Sequence, residues 1–263
     1  MEEKTSGIQE LKIALGSWRI WCSLAFQDIV IRYRGSVLGP FWITISTAIT
    51  VYSMGFLYGA LFHIDRSSYL PYFTTGIISW TFISMVIHES TKIFIDSKHY
   101  MENIQLSSLV YIGRLLVRNL IILMHNIPVF ISIALLYKME LNLHLLLIFP
   151  SLIILCLNAV FYGTLIALVS ARFPDVGSIV SSLLQVLFFI TPIMWSPSNL
   201  PEKFQLYLLM NPFSYFVALI RNPLLGIGFT PSEQIGLCVL TLGGFMVFIP
   251  TIRKYIRRVI FWI

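Results

Sequence analysis

Six stretches of this chain, near residues 37–62, 70–87, 119–137, 141–170, 176–195 and 234–252, are free of Asp, Glu, Lys and Arg and almost continuously apolar. A bilayer core of about 30 Å needs around 20 apolar helical residues, so each stretch is long enough to cross or nearly cross one. Barrel strands would alternate apolar and polar positions over about 10 residues, whereas these runs are continuous, which predicts helices. Six such runs in 263 residues leave too little polar surface to cover a soluble core.

The segments between the runs carry their own patterns. Before the first run, Gln9, Lys12, Gly16, Arg19, Ser23 and Gln27 fall on one helical face and Leu11, Ala14, Trp18, Trp21, Ala25 and Ile29 on the other. That predicts an amphipathic helix at the membrane interface, with Trp18 and Trp21 on its apolar side. Between the second and third runs, 92–118 is the longest polar insertion, with Asp96, Lys98, His99, Tyr100, Met101, Glu102, Asn103 and Gln105. It is either a solvated connector or a short helix that docks on a partner. After the fifth run, 196–231 holds apolar pieces at 204–210 and 213–220 that are too short to cross and are split by Pro212, which predicts re-entrant helices.

Composition sharpens this picture. The chain is 57% hydrophobic and 11% charged, with a mean hydropathy of +0.82, where soluble domains carry about 25% charged residues. Its net charge of +6 comes from basic residues scattered between apolar runs, not from a stripe that could hold nucleic acid. Fourteen of the eighteen Lys and Arg fall in segments on one side of the six runs, the side with both termini. Positive loops stay inside, so both termini are expected in the cytoplasm. Cys22, Cys156 and Cys238 are far apart in apolar surroundings and make no disulfide framework. No compact apolar run followed by a cleavage site is evident near the start, so the first spanning helix is expected to be retained.

Small residues recur at four-residue spacing, Gly55 and Gly59 in the first run and Gly163, Ala167 and Ala171 in the fourth, which predicts close helix packing. The runs are almost free of ionisable groups, unlike those of ion-driven transporters. His88-Glu89 lacks the second histidine of an HExxH zinc site, and no GxxxxGK[ST] phosphate loop is present. No GxSxG nucleophile elbow occurs either, which weighs against a membrane-embedded acyltransferase. Any nucleotide energy is therefore expected from another chain.

Against this background the chain resembles the membrane permeases of ABC exporters for O-antigen, capsular polysaccharide and teichoic acid. The resemblance rests on Asp28, Arg32, Tyr33, Ser36, Leu38, Gly39 and Trp42 leading into the first run, on Gly76 and Trp80 in the second, and above all on TPIMWSPSNLPEKFQLYLLMNPFSYFVALIR, with Pro192, Trp195, Pro201, Asn211, Pro212 and Arg221.

It implies an all-α polytopic fold with six transmembrane helices, an interface helix over residues 1–35 and a permease domain over 36–263. It also implies a homodimer that moves a lipid-linked glycan across the cytoplasmic membrane, with two copies of a separate ATP-binding subunit holding ATP and Mg. Residues His99 to Asn103 and Gln105 would contact that subunit, Tyr52, Phe56, Phe188 and Phe189 would line the conduit, and the outer helices would close it. An exporter of a small lipid or drug would share every helix.

Overall fold

The computed structural model describes residues 7–61, 65–104, 106–140, 142–197, 201 and 207–263, and Gln105 of the polar insertion lies outside them. The described residues are helical with short connections. In chain order the helices are α1 (Gly7–Gly16), α2 (Trp18–Arg32), α3 (Phe41–Leu61), α4 (Arg66–Ser90), α5 (Ile93–Asp96), α6 (Lys98–Asn103), α7 (Leu109–Leu136), α8 (Ile148–Arg172), α9 (Val176–Ile190), α10 (Pro212–Leu224) and α11 (Pro231–Tyr255). Short 3₁₀ turns, Leu143–Leu147 and Ile256–Phe261, precede α8 and follow α11.

Among the described residues, five helices, α3, α4, α7, α8 with its leading turn, and α11 with its trailing turn, are long and apolar enough to cross a membrane. The chain is a multi-pass membrane protein. The remaining apolar run folds differently from its sequence length: 176–195 gives a helix of 15 residues ending at Ile190. At 1.5 Å per residue that is roughly 22 Å, short of a full crossing. The cause is local, because a residue before proline is pushed out of the helical region, and Thr191, followed by Pro192, has φ −78° and ψ 139°.

Helix α4 is the hub of the bundle, the most buried of the spanning helices, while α3 is the least. The small-residue steps turn out to be internal seams. A Cβ on Gly55 would stand 2.4 Å from Leu70 Cδ2, so α3 lies directly on α4. Gly163 similarly lets α8 approach Ser90 Oγ on α4, which a Cβ would meet at 2.9 Å.

The amino-terminal segment is two helices rather than one. Ser17 interrupts it with φ −87° and ψ 22°, its hydroxyl donating back to the Ile13 carbonyl at 2.8 Å. Ala14, Ala25 and Ile29 of the expected apolar line are buried in the protein, whereas Trp18 on the same line is exposed, as are Phe26 and Val30 of α2. Those exposed apolar side chains are the ones available to a membrane surface. Trp21 folds back to donate to the Ala14 carbonyl at 3.0 Å and lies flat on Gly113 of α7, where a Cβ would meet the indole at 3.0 Å. Gly113→Leu is therefore expected to push the indole off α7, seen as a changed tryptophan emission; an unchanged spectrum would show that the contact is not formed.

Candidate functional site

Two clusters of polar and aromatic side chains stand at opposite ends of the bundle. At the end carrying both termini, Asp28 of α2 accepts from Arg114 Nε at 2.8 Å and from Arg118 Nη1 at 2.7 Å, both on the first turns of α7. Arg118 Nη2 also donates to Glu89 at 2.8 Å, near the end of α4, and Asn119 donates to the same carboxylate oxygen at 2.7 Å. Arg32 completes the network at 3.4 Å from Glu89. Asp28, Arg114, Arg118 and Glu89 are all largely buried, and such a network fixes the relative position of the three helices that supply it.

Close by, α6 presents a mostly solvent-facing surface. Met101 is its buried anchor, while His99, Tyr100, Glu102 and Asn103 are exposed. Asn103 donates to the His99 carbonyl at 2.7 Å, and Lys98 pairs with Glu102 at 3.9 Å, one turn apart. The Tyr100 ring lies 5.6 Å below the Arg114 guanidinium, so the exposed helix touches the buried charge network through one cation–π contact.

At the other end, the structure gathers most of the expected outer-gate residues around one buried cation. Asn211 caps α10, its side chain accepting from Phe213 N, and Pro212 occupies the first helical position. Arg221, on the same helix, is 6% exposed. It donates to the Pro192 carbonyl at 2.6 Å and to the Tyr72 hydroxyl at 2.9 Å, and it stacks 4.0 Å from the Tyr72 ring centre. Tyr72 donates in turn to the Pro192 and Trp195 carbonyls, both at 3.2 Å, Tyr69 to the Met194 carbonyl at 2.9 Å, and Asn211 to the Thr191 hydroxyl at 3.1 Å. Every polar group of the 191–195 turn named here is thus held by α4 or α10. Trp195 donates to the Phe189 carbonyl at 3.0 Å, and Pro201 is exposed.

The aromatic pairs expected to line a conduit flank this cluster on two helices. On α3, Tyr52 and Phe56 stack at 6.4 Å, and the Tyr52 hydroxyl lies 2.9 Å from that of Ser132. On α9, Phe188 packs 5.9 Å from Trp80 and meets Phe189 edge-on at 5.3 Å, with Phe189 67% exposed. Tyr52 and Phe188 pack on the same buried group, including Tyr69, Leu70, Phe73 and Trp80. No residue of α9 is buried, and Ile179, Leu183, Val186, Phe189 and Ile190 on it are exposed.

Sequence reasoning missed the partners of Asp28, and it missed Tyr69 and Tyr72. Glu89 stands in the sequence at the end of the second apolar run and Arg114 and Arg118 within the polar insertion, and the available signal was this placement where two apolar runs meet that insertion.

Residues 20–225 match the family model described as ABC-2 type transporter. Curated relatives include an O-antigen export system permease protein RfbA from Myxococcus xanthus, 24% identical over 72% of this chain and 74% of the relative. Another, of the same name from Klebsiella pneumoniae, is 22% identical over 84% of this chain and 88% of the relative.

Proposed function

The chain belongs to the ABC-2 type transporter family, and from that premise we propose that it is the membrane subunit of an ATP-driven exporter of a lipid-linked, O-antigen-like polysaccharide. The observation that carries the substrate is the O-antigen export permeases aligned over about three quarters or more of both chains. In this reading two copies form the conduit and two copies of a separate subunit hydrolyse ATP with Mg. The complex sits in the cytoplasmic membrane with both termini inside, in keeping with the excess of Lys and Arg on that side.

The geometry supports a role for each part. Helix α6, anchored by Met101 and otherwise exposed, is the docking surface for the ATPase subunit. Movement of α6 reaches Arg114 through Tyr100, and through Asp28 it reaches α2. The exposed faces of α3 and α9 offer Phe56 and Phe189 to the conduit, with Tyr52 and Phe188 half-buried beside them, and flat aromatic faces contact sugar rings without trapping them by charge. The Arg221 cluster holds the outer end of α9. Binding of ATP shifts such a system only through contacts that differ between its states, so α6 must stay docked for export to follow hydrolysis.

Co-purification with an ATP-binding subunit, followed by transport of lipid-linked glycan in vesicles, tests the assignment. A complex that moves only small lipids would keep the fold and overturn the substrate. Within such a complex, Tyr100→Ala or Glu102→Ala should lower export roughly tenfold, the effect of losing about 1.4 kcal/mol of coupling, while ATP hydrolysis persists. Unchanged export would remove α6 from the coupling path.

A further inference from the structure

Helix α11 packs on α1, α8 and α10. On another side of it, Ile235, Val239, Leu242 and Met246 recur at three- and four-residue steps along one line, each more than half exposed. A line of bare apolar side chains on a spanning helix is a surface for lipid chains. Two helical turns past Met246, in the same register, comes Arg253. Lys254, Arg257 and Arg258 are exposed with it, while Ile252, Ile256 and Val259 are buried against the protein. At 1.5 Å per residue Arg253 stands roughly 33 Å along α11 from Pro231, the thickness of a bilayer core, so these cations emerge at headgroup level.

A row of rings places a further cation beside them. The Arg172 guanidinium, at the end of α8, lies 5.9 Å from the centre of the Trp262 ring. That ring lies 5.9 Å from the Tyr255 ring, and the Lys254 ammonium stands 5.1 Å from the Tyr255 centre. Contacts of this kind hold a cation against an aromatic face without neutralising it. Arg257 pairs with Glu10 at 2.9 Å. Arg172, Arg253, Lys254 and Arg258 are exposed and have no acidic partner among the described residues. The turn after α11 also exposes Phe261, at 84%, and Ile260.

We propose that this face binds the phosphodiester headgroup of an anionic phospholipid of the bilayer, phosphatidylglycerol being the simplest. Arg172, Arg253, Lys254 and Arg258 supply the positive charge, and the acyl chains lie along the apolar line of α11. Basic residues clustered directly beyond a spanning helix attract anionic lipid in this way. A bilayer lipid fits better than an acidic protein surface because the apolar line and the cations are continuous on one side of one helix. It also fits better than a lipid-linked cargo, since the face is built on α8 and α11 and the conduit is assigned to α3 and α9. Only the crossing of α11 is needed for this, not the identity of the cargo.

The test uses the purified full chain in nanodiscs of phosphatidylcholine that contain a trace of phosphatidylglycerol carrying a diazirine near the carboxyl end of one acyl chain. Phosphatidylcholine with the same diazirine serves as the comparison. Both leaflets of a nanodisc are alike, so the outcome does not depend on which way the chain is inserted. After irradiation, peptide mass spectrometry should find phosphatidylglycerol adducts on 246–262 in roughly fivefold excess over phosphatidylcholine, the ratio set by one cation near an anionic headgroup. High salt should bring the excess toward one, because the cations are exposed. Combining Arg253→Gln, Lys254→Gln and Arg258→Gln should do the same at low salt. Arg34→Gln, which removes an exposed cation between α2 and α3, should leave the excess unchanged. If the triple variant fails to insert, Arg253→Gln and Arg258→Gln made singly should each lower the ratio. Equal labelling by the two lipids in the unaltered protein would overturn the proposal, as would an excess that survives the triple substitution. An excess that disappears once an ATP-binding subunit is bound would assign the cations to an acidic surface of that subunit and overturn it as well.

Discussion

Replacing Gly76 with alanine should destabilise the protein by about 2–4 kcal/mol, a large loss for a single methyl group. A Cβ there would stand 2.3 Å from Arg221 Nη2 and 2.9 Å from the Ile193 carbonyl oxygen, inside contact distance on both sides. The guanidinium is held by the Pro192 carbonyl and by Tyr72, so it cannot withdraw without breaking both hydrogen bonds. A partner substitution reveals which clash dominates. Arg221→Met removes the buried cation, and the Pro192 carbonyl still accepts from Tyr72 at 3.2 Å. On that background Gly76→Ala should cost under about 1 kcal/mol, giving a coupling of ~1–3 kcal/mol in a cycle of thermal midpoints measured in detergent. If alanine is equally damaging with Met at position 221, the Ile193 backbone is the obstacle and Arg221 is not the reason for the glycine.

This pair also shows what could be seen in the sequence. Gly76 and Arg221 were both picked out, but they are separated by most of the chain, and nothing in local pattern says that one makes room for the other. The long apolar runs were legible because continuous hydrophobicity in a bilayer leaves the backbone no option but a helix. Their ends were less so: at Thr191 a proline overrode an apolar pattern that continued to Trp195. At Ser17 the helix is interrupted although the periodicity runs on: the Ile13 carbonyl accepts from both the Ser17 amide and its hydroxyl, and the Ala14 carbonyl accepts from the Trp21 indole. Periodicity places Asp28 beside the apolar line of α2, but does not name Arg114 and Arg118 as its partners, since a carboxylate fits any cation the tertiary fold brings near.

Those partners give the Asp28 charge a large expected effect on stability. Asp28→Ala would leave Arg114 with no carboxylate and Arg118 with only Glu89, in surroundings where both guanidiniums are largely buried. Breaking a fully buried pair costs about 3–5 kcal/mol; with some solvent still reaching these groups, about 2–4 kcal/mol is expected here. The loss should appear as release of α2 from α7, seen as faster tryptic cleavage at Arg32 and Arg34 and a lower thermal midpoint. Asp28→Asn, which keeps the shape and one acceptor, should fall between. Arg32→Ala should cost under about 1 kcal/mol, because its 3.4 Å contact with Glu89 is made by a side chain 41% exposed. Raising the salt concentration separates the two sites further, since screening weakens exposed pairs and hardly reaches buried ones. If Asp28→Ala resists trypsin as well as the unaltered protein does, the apolar contacts of Trp21, Ala25 and Ile29 hold α2 by themselves, and the charge network cannot be what carries motion from α6 to the amino-terminal helix.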